Sequence, residues 1–169
     1  RADDKGSSLE LRSPAAMVSA NLTTLNANLA RGANWRSSTL YHGSPGRLDT
    51  APRAVVISEV VSHTDIGVDW IELQNTSGAT VTLSNHFLSD SYALPFRYAF
   101  AANTTIAADS FLIRDANQLG FGFSELGSDI ILVEASGTNI LRFADTPDIP
   151  AADQEESFGR STRSDAIVD

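Results

Sequence analysis

The residues able to do chemistry in this chain are few and scattered. Three histidines, His42, His63 and His86, fall in three separate segments, and none has a helical i+4 partner of the kind a zinc hydrolase uses. His42 beside a Gly/Pro-rich stretch and His63 in a polar segment read as solvated side chains. His86 reads as a partly buried, hydrogen-bonded imidazole. Glu59 and Glu72 each interrupt an apolar run, and two carboxylates can flank a glycosidic bond as acid and base. Alternation instead places Glu72 opposite Ile71 and Leu73, toward solvent, with no nucleophile or oxyanion donors beside it. There is no Gly-x-Ser-x-Gly elbow, and Gly120-Phe121-Gly122-Phe123 is a loop with two glycines rather than a nucleotide fingerprint. With no cysteine, thiolate catalysis, disulfides and Cys-based metal sites are excluded. No catalytic residue is therefore assigned.

Two groups remain as candidate binding residues. Asp145, Asp148, Asp153, Glu155 and Glu156 crowd a Pro-containing segment, and loop carboxylates can converge on calcium. Their spacing does not match an EF-hand ladder, so a solvated acidic loop is the simpler reading, with calcium at Asp145, Asp148 and Asp153 as the alternative. No other cofactor is implied. Aromatic side chains in loops are how many sandwich modules hold sugar or peptide. Aromatics are only 8% of the chain, so core packing competes for them. Asp90-Ser91-Tyr92-Ala93-Leu94-Pro95-Phe96-Arg97 is the best candidate for an exposed contact surface, with Tyr92, Phe96, Arg97 and Tyr98 as binding residues.

The elements that must carry these residues are strands. After a break at 43–52, where two prolines and two glycines fall in ten residues, short β-rich runs follow one another. They are Val55–Val61, Val68–Gln74, Thr80–Leu83, His86–Ser89, Tyr98–Phe100, Ser110–Arg114, Asp129–Glu134 and Asn139–Phe143, the last two joined as a hairpin through Gly137. No helical periodicity appears between Val55 and Phe143, which argues against a βαβ sheet. The fold expected is all-β, an immunoglobulin-like antiparallel two-sheet sandwich with an N-terminal extension. In that extension Ser8–Arg12 alternates as a strand and 34–41 supplies a second extended piece. Val18, Leu22, Leu25 and Leu29 have helical spacing, but the asparagines and threonines among them leave helix and long loop both open. Residues 1–52 are read as extension and linker, and 53–169 as the sandwich domain.

At 169 residues the chain fits one ordinary domain, and its 42% hydrophobic content is that of a folded protein. The net charge of −9 disfavours nucleic acid and anionic lipid, and no apolar run approaches a bilayer span. Starting at Arg1 without methionine, the chain reads as a piece of something longer. Asn21-Leu22-Thr23, Asn75-Thr76-Ser77 and Asn103-Thr104-Thr105 fit the glycosylation sequon.

Taken in order, several of these segments resemble the lamin-tail domain family in its bacterial form, over roughly residues 54–165. The carriers are Val56-Ile57-Ser58-Glu59-Val60, Asp69-Trp70-Ile71-Glu72-Leu73-Gln74-Asn75, Val81-Thr82-Leu83-Ser84, Leu88-Ser89-Asp90, Tyr98-Ala99-Phe100, Ile106 through Ile113, Gly127–Leu132 and Ser157-Phe158-Gly159-Arg160. Family members usually have Gly-Trp after Leu-Ser, where Asn85-His86 stands here, so the aromatic anchor is expected to be replaced or relocated, with Phe87 as the substitute. A further closing strand usual in the family is missing from the C-terminal end. Residues 1–50 resemble the closing strands of a preceding copy, or a completing strand for this one.

The resemblance implies a non-catalytic interaction or anchoring module in an exported or cell-envelope bacterial protein, outside the cell. Its partner would be a protein or cell-surface polymer, without membrane insertion, and contact could include pairing at an exposed strand edge. A carbohydrate-binding module is the alternative, and a hydrolase the third reading.

Overall fold

In the computed structural model, residues 8–11, 21–38, 40–46 and 54–160 are described. Residues 1–7 of the segment read as closing strands, residues 15–20 at the start of the helically spaced segment and the end of the family resemblance, 161–165, lie outside them. The chain divides into two compact units, Arg1–Ala51 and Pro52–Asp169.

In the first unit, β1 (Leu9–Leu11) pairs antiparallel with β2 (Trp35–Ser37), Leu11 opposite Trp35. Between them α1 (Leu22–Leu29) realises the helical alternative in shortened form. Its start is fixed by Asn21, whose Oδ1 accepts from Thr23 N–H at 2.9 Å and Thr24 N–H at 3.3 Å. Asn21 thus serves as the N-cap. Trp35 Nε1 donates to the Leu29 carbonyl at 2.7 Å, tying the helix end to β2.

The second unit contains the strands β3 (Val55–Val61), β4 (Trp70–Asn75), β5 (Val81–Thr82), β6 (His86–Ser89), β7 (Tyr98–Ala99), β8 (Thr105–Ile106) and β9 (Phe111–Asp115). After α2 (Ala116–Leu119) come β10 (Ser128–Asp129), β11 (Ile131–Ser136), β12 (Asn139–Asp145), β13 (Asp148–Ile149) and β14 (Ser157–Gly159). Two four-stranded antiparallel sheets, β14-β3-β4-β9 and β12-β11-β6-β7, form the layers, and two-stranded ladders β5-β8 and β10-β13 close the ends. This is the expected immunoglobulin-like sandwich. The inner faces bury Val55, Ile57, Val60, Ile71 and Leu73 from one sheet and Leu88 and Leu132 from the other. The alternation of β4, with Ile71, Leu73 and Asn75 buried and Trp70, Glu72 and Gln74 half-buried, is the period a one-sided strand requires. The hairpin of β11 and β12 turns at Gly137, whose φ of +61° suits a residue without a Cβ.

One element contradicts the absence of helix. Asp115 Oδ1 accepts from Gln118 N–H at 2.8 Å and Gln118 Oε1 from Asp115 N–H at 3.1 Å, a capping box that starts the single turn of α2.

Two polar knots lock the sandwich. Asn75, fully buried at the end of β4, donates through Nδ2 to the carbonyls of Ala79 (2.7 Å), Ile106 (3.0 Å) and Ala107 (2.9 Å). Its Oδ1 accepts from Ser77 N–H at 2.9 Å and from Ser77 Oγ at 2.7 Å, so this sequon asparagine is consumed by the fold. At the other knot, Asp145 on β12 lies buried on the inner face, opposite Leu132. Arg160 Nη2 donates to its Oδ1 and Oδ2 at 2.7 and 2.6 Å, and Ile57 N–H donates to Oδ2 at 2.7 Å. Arg160 Nε returns to the Ile57 carbonyl at 2.7 Å, at the point where β3 slips register between Ile57 and Glu59. A bulge otherwise leaves backbone groups unpaired, and here one ion pair satisfies them, the amide through Asp145 of the facing sheet and the carbonyl through Arg160 just past β14.

Two stability outcomes follow. Arg160→Ala leaves a buried carboxylate uncompensated and should cost about 3–5 kcal/mol by denaturant titration, whereas an exposed control such as Asn103→Ala should shift it far less. Asn75→Asp replaces a donor facing three carbonyls by an acceptor and should destabilise more than Asn75→Ala, which itself should cost about 2–4 kcal/mol by the same assay.

Candidate functional site

The sequence pointed to the loop between β6 and β7. It is a tightly folded segment: Ser89 Oγ donates to the Leu94 carbonyl at 2.8 Å and accepts from Ser91 N–H at 3.0 Å. Its aromatics turn toward the protein. Phe96 packs edge-on against Phe87, centroids 4.9 Å apart and planes at 73°, and Tyr92 against Phe143 at 5.8 Å and 61°. Phe87 and Phe143 both lie opposite Val133, so the two loop rings bracket a fully buried Val133 on the outer face of the sheet. Arg97 Nη1 donates to both Asp90 carboxylate oxygens, and its guanidinium sits 4.6 Å from the Phe121 centroid. Tyr98 packs on Phe100 at 5.0 Å, and its hydroxyl accepts from Arg114 Nε at 3.1 Å. Tyr92 and Phe96 thus share the outer face of the sheet, whereas Tyr98, opposite Leu88, packs against the main core on the inner face and Arg97 lies over Phe121 of that core, so the four candidates do not form one surface.

Among the described residues no group of three or more histidines and carboxylates is placed to hold a metal ion. Asp145 is committed to Arg160, Ile57 and Thr146 N–H, while Asp153 is exposed and its N–H donates to Glu156 Oε2 at 2.9 Å. The side chain of Asp148, on β13, lies outside what is described. A cleft of about 380 Å³ beside Arg160 is lined by residues including Val60, Pro147, Ile149, Pro150 and Phe158, and neither Glu59 nor Glu72 is among its lining. Those two glutamates face each other across β3 and β4 on the outer face, with Ser58 Oγ donating to Glu72 Oε1 at 2.8 Å.

His86 is buried on the inner face, opposite Glu134, at the position where the resemblance leads one to expect tryptophan. Phe87 does not replace it, because neighbouring strand residues point to opposite faces. Among the described residues His86 Nδ1 has no hydrogen-bond partner. Burial pushes the imidazole below its ordinary pKa of 6.5, the Glu134 carboxylate raises it, and Arg142 lowers it, with burial the largest effect.

The surface left open by the fold is elsewhere, at the end of the sandwich where three loops meet. His63, just after β3, sits with Nδ1 3.3 Å from the Ala152 carbonyl and Nε2 3.3 Å from Glu125 Oε2, so one imidazole touches both neighbouring loops. Glu155 N–H donates to the His63 carbonyl at 2.8 Å, and Asp65 N–H to Glu155 Oε1 at 3.2 Å. Ala152 N–H reaches the Glu125 carbonyl at 2.8 Å. Asp69, which opens the Asp-Trp-Ile-Glu-Leu block, accepts Phe123 N–H on Oδ2 at 2.9 Å and so anchors the 120–127 loop. Gly127, at φ +106°, passes so close that an added Cβ would lie 3.1 Å from the Ile149 carbonyl. On these loops Ile66 is 96% and Leu126 81% exposed, with the exposed carboxylates Asp65, Glu125, Asp153, Glu155 and Glu156 around the same loops and no lysine or arginine in 62–69, 120–127 or 150–156. Sequence reasoning missed Ile66 and Leu126, since a lone aliphatic between polar residues carries no periodic signal.

Because the folded-state pKa of His86 lies below its unfolded value, the unfolded chain binds the extra proton. Stability from this group should be complete above about pH 6.5 and be lost as pH falls below it, levelling off below the folded pKa. Thermal melts between pH 7.5 and 4.5 should show this loss, and His86→Phe should remove its share.

A family model described as the Lamin Tail Domain matches residues 49–146. No curated protein matches the chain.

Proposed function

The chain belongs to the lamin tail domain family, and on that premise we propose that it is a non-catalytic interaction or anchoring module of a larger exported or cell-envelope bacterial protein. The family is one of non-enzymatic immunoglobulin-like domains, which agrees with a site built from contact surface rather than from reacting groups. The observation that carries the reading is the pair Ile66 and Leu126, almost wholly in water on loops held by the His63 knot. Covering each of these two large aliphatics is worth about 1.5–3 kcal/mol. Loops already fixed by hydrogen bonds spend little ordering entropy on contact. The acidic surround selects a partner surface with an apolar centre and a basic rim, and repels phosphate-rich polymers and anionic lipid.

A labelled amphipathic helical peptide with a leucine face bordered by lysines is a suitable probe. It should bind the full chain more weakly as salt rises, and Ile66→Ser with Leu126→Ser should reduce the affinity at least tenfold (about 1.4 kcal/mol) with the denaturation midpoint unchanged. Equal binding by the double variant would overturn this assignment of the contact surface.

A further inference from the structure

A second surface, independent of the loop end, lies on the edge strand β9. Among the described residues the two four-stranded sheets have four edges, and three are blunted: β14 and β7 are three and two residues long, and the β11–β12 ladder is broken by two register shifts. β9 has five residues, Phe111-Leu112-Ile113-Arg114-Asp115, pairs in unbroken register with β4 on one side, and contains no proline or lysine.

The ladder fixes which groups face the open side. Asn75 N–H bonds the Ser110 carbonyl at 2.9 Å and Ala116 N–H the Asp69 carbonyl at 2.8 Å. Backbone groups alternate between the two sides of a strand, so Ser110, Leu112, Arg114 and Ala116 turn theirs to β4 while Phe111 and Ile113 turn theirs to the open edge. The Phe111 and Ile113 side chains are each 53% exposed on the outer face. The Ile113 carbonyl accepts from Arg114 Nη1 at 2.7 Å and keeps a second lone pair.

We propose that this edge takes an extended peptide as a fifth strand, with an apolar residue opposite Phe111 and an arginine or lysine opposite Ile113. Two rows run across the outer face from the edge. One is Phe111, Gln74 and Val56; the other is Ile113, Glu72 and Glu59. The first row gives an apolar neighbour to an apolar residue. In the second, a basic side chain lying along Ile113 spans about two strand spacings, some 9.5 Å, to reach Glu72 with Glu59 behind it. Two like charges directly opposite each other destabilise a ladder, and a cation arriving there relieves them. No cationic side chain pairs with either glutamate among the described residues. The net charge of −9 favours such a basic strand over a second copy of the chain.

The test uses the full chain and a labelled heptapeptide, Thr-Ile-Thr-Arg-Thr-Ile-Thr, whose outward residues alternate apolar and basic. A glutamate version in place of arginine and a version N-methylated at alternate amides serve as controls. The arginine peptide should bind about tenfold more tightly than the glutamate peptide, and N-methylation should abolish binding. Bound peptide should slow hydrogen exchange at the Phe111 and Ile113 amides. Ile113→Lys should remove binding and Glu72→Gln should bring the two peptides close to parity, while the Ile66→Ser, Leu126→Ser chain should bind as before. Equal affinity of the arginine and glutamate peptides for the unaltered chain, protection confined to other strands, or loss of binding in the loop-end variant alone would each overturn the proposal. So would peptide-independent self-association that disappears in Ile113→Lys, which would assign the edge to a second copy.

Discussion

A carboxylate without solvent contact sits between the two sheets, and the sandwich is arranged around keeping it neutralised. Asp145 holds Arg160 and the Ile57 amide, and Arg160 holds the Ile57 carbonyl, so a residue from β12, the bulge of β3 and the segment leaving β14 share one set of charge-assisted bonds. The favourable geometry matters because an isolated ion here would cost several kcal/mol of desolvation. This fastening holds β14 against β3, Ser157 opposite Val61, and thereby places the 150–156 loop within reach of His63. The exposed aliphatic tips depend on that placement. An interaction between the sheets therefore decides what the end of the sandwich presents.

The two outer faces of the sandwich are covered differently. On the β12-β11-β6-β7 sheet, the β6–β7 loop folds back and covers Val133, Phe87 and Phe143 with Tyr92 and Phe96. On the β14-β3-β4-β9 sheet, Phe111, Ile113 and Glu72 stay open to solvent or half so. The covered face spends its aromatics on stability. The other face leaves Phe111 half in solvent.

Much of the fold was legible because β3, β4, β6, β9, β11 and β12 carry β-branched or alternating apolar patterns long enough to stand out from their surroundings. β8, β10, β13 and β14 have two or three residues each, and a pattern of period two cannot declare itself in so few. Their strand character comes from the partner beside them. α2 did leave a signal, the Asp115 and Gln118 spacing of a capping box, without an apolar periodicity to accompany it. The site was less legible for a related reason. Asp145 reads as a cation ligand until one knows that an arginine fifteen residues later lies beside it. Tyr92 and Phe96 read as surface until one knows that the sheet below them has a second apolar face. Ile66 and Leu126 gain meaning only from exposure, which is a property of the folded chain.

The Asp145–Arg160 bond also bears on where this module can be cut. The matched region closes at residue 146, one position after the buried carboxylate and well short of its counter-ion. A recombinant fragment trimmed to that limit would carry an orphaned anion in its interior and lack both β13 and β14, whereas one extended past residue 160 retains both halves of the clasp. The folding unit is thus longer than the stretch the family model matches, and it reaches at least to the arginine that neutralises its buried anion.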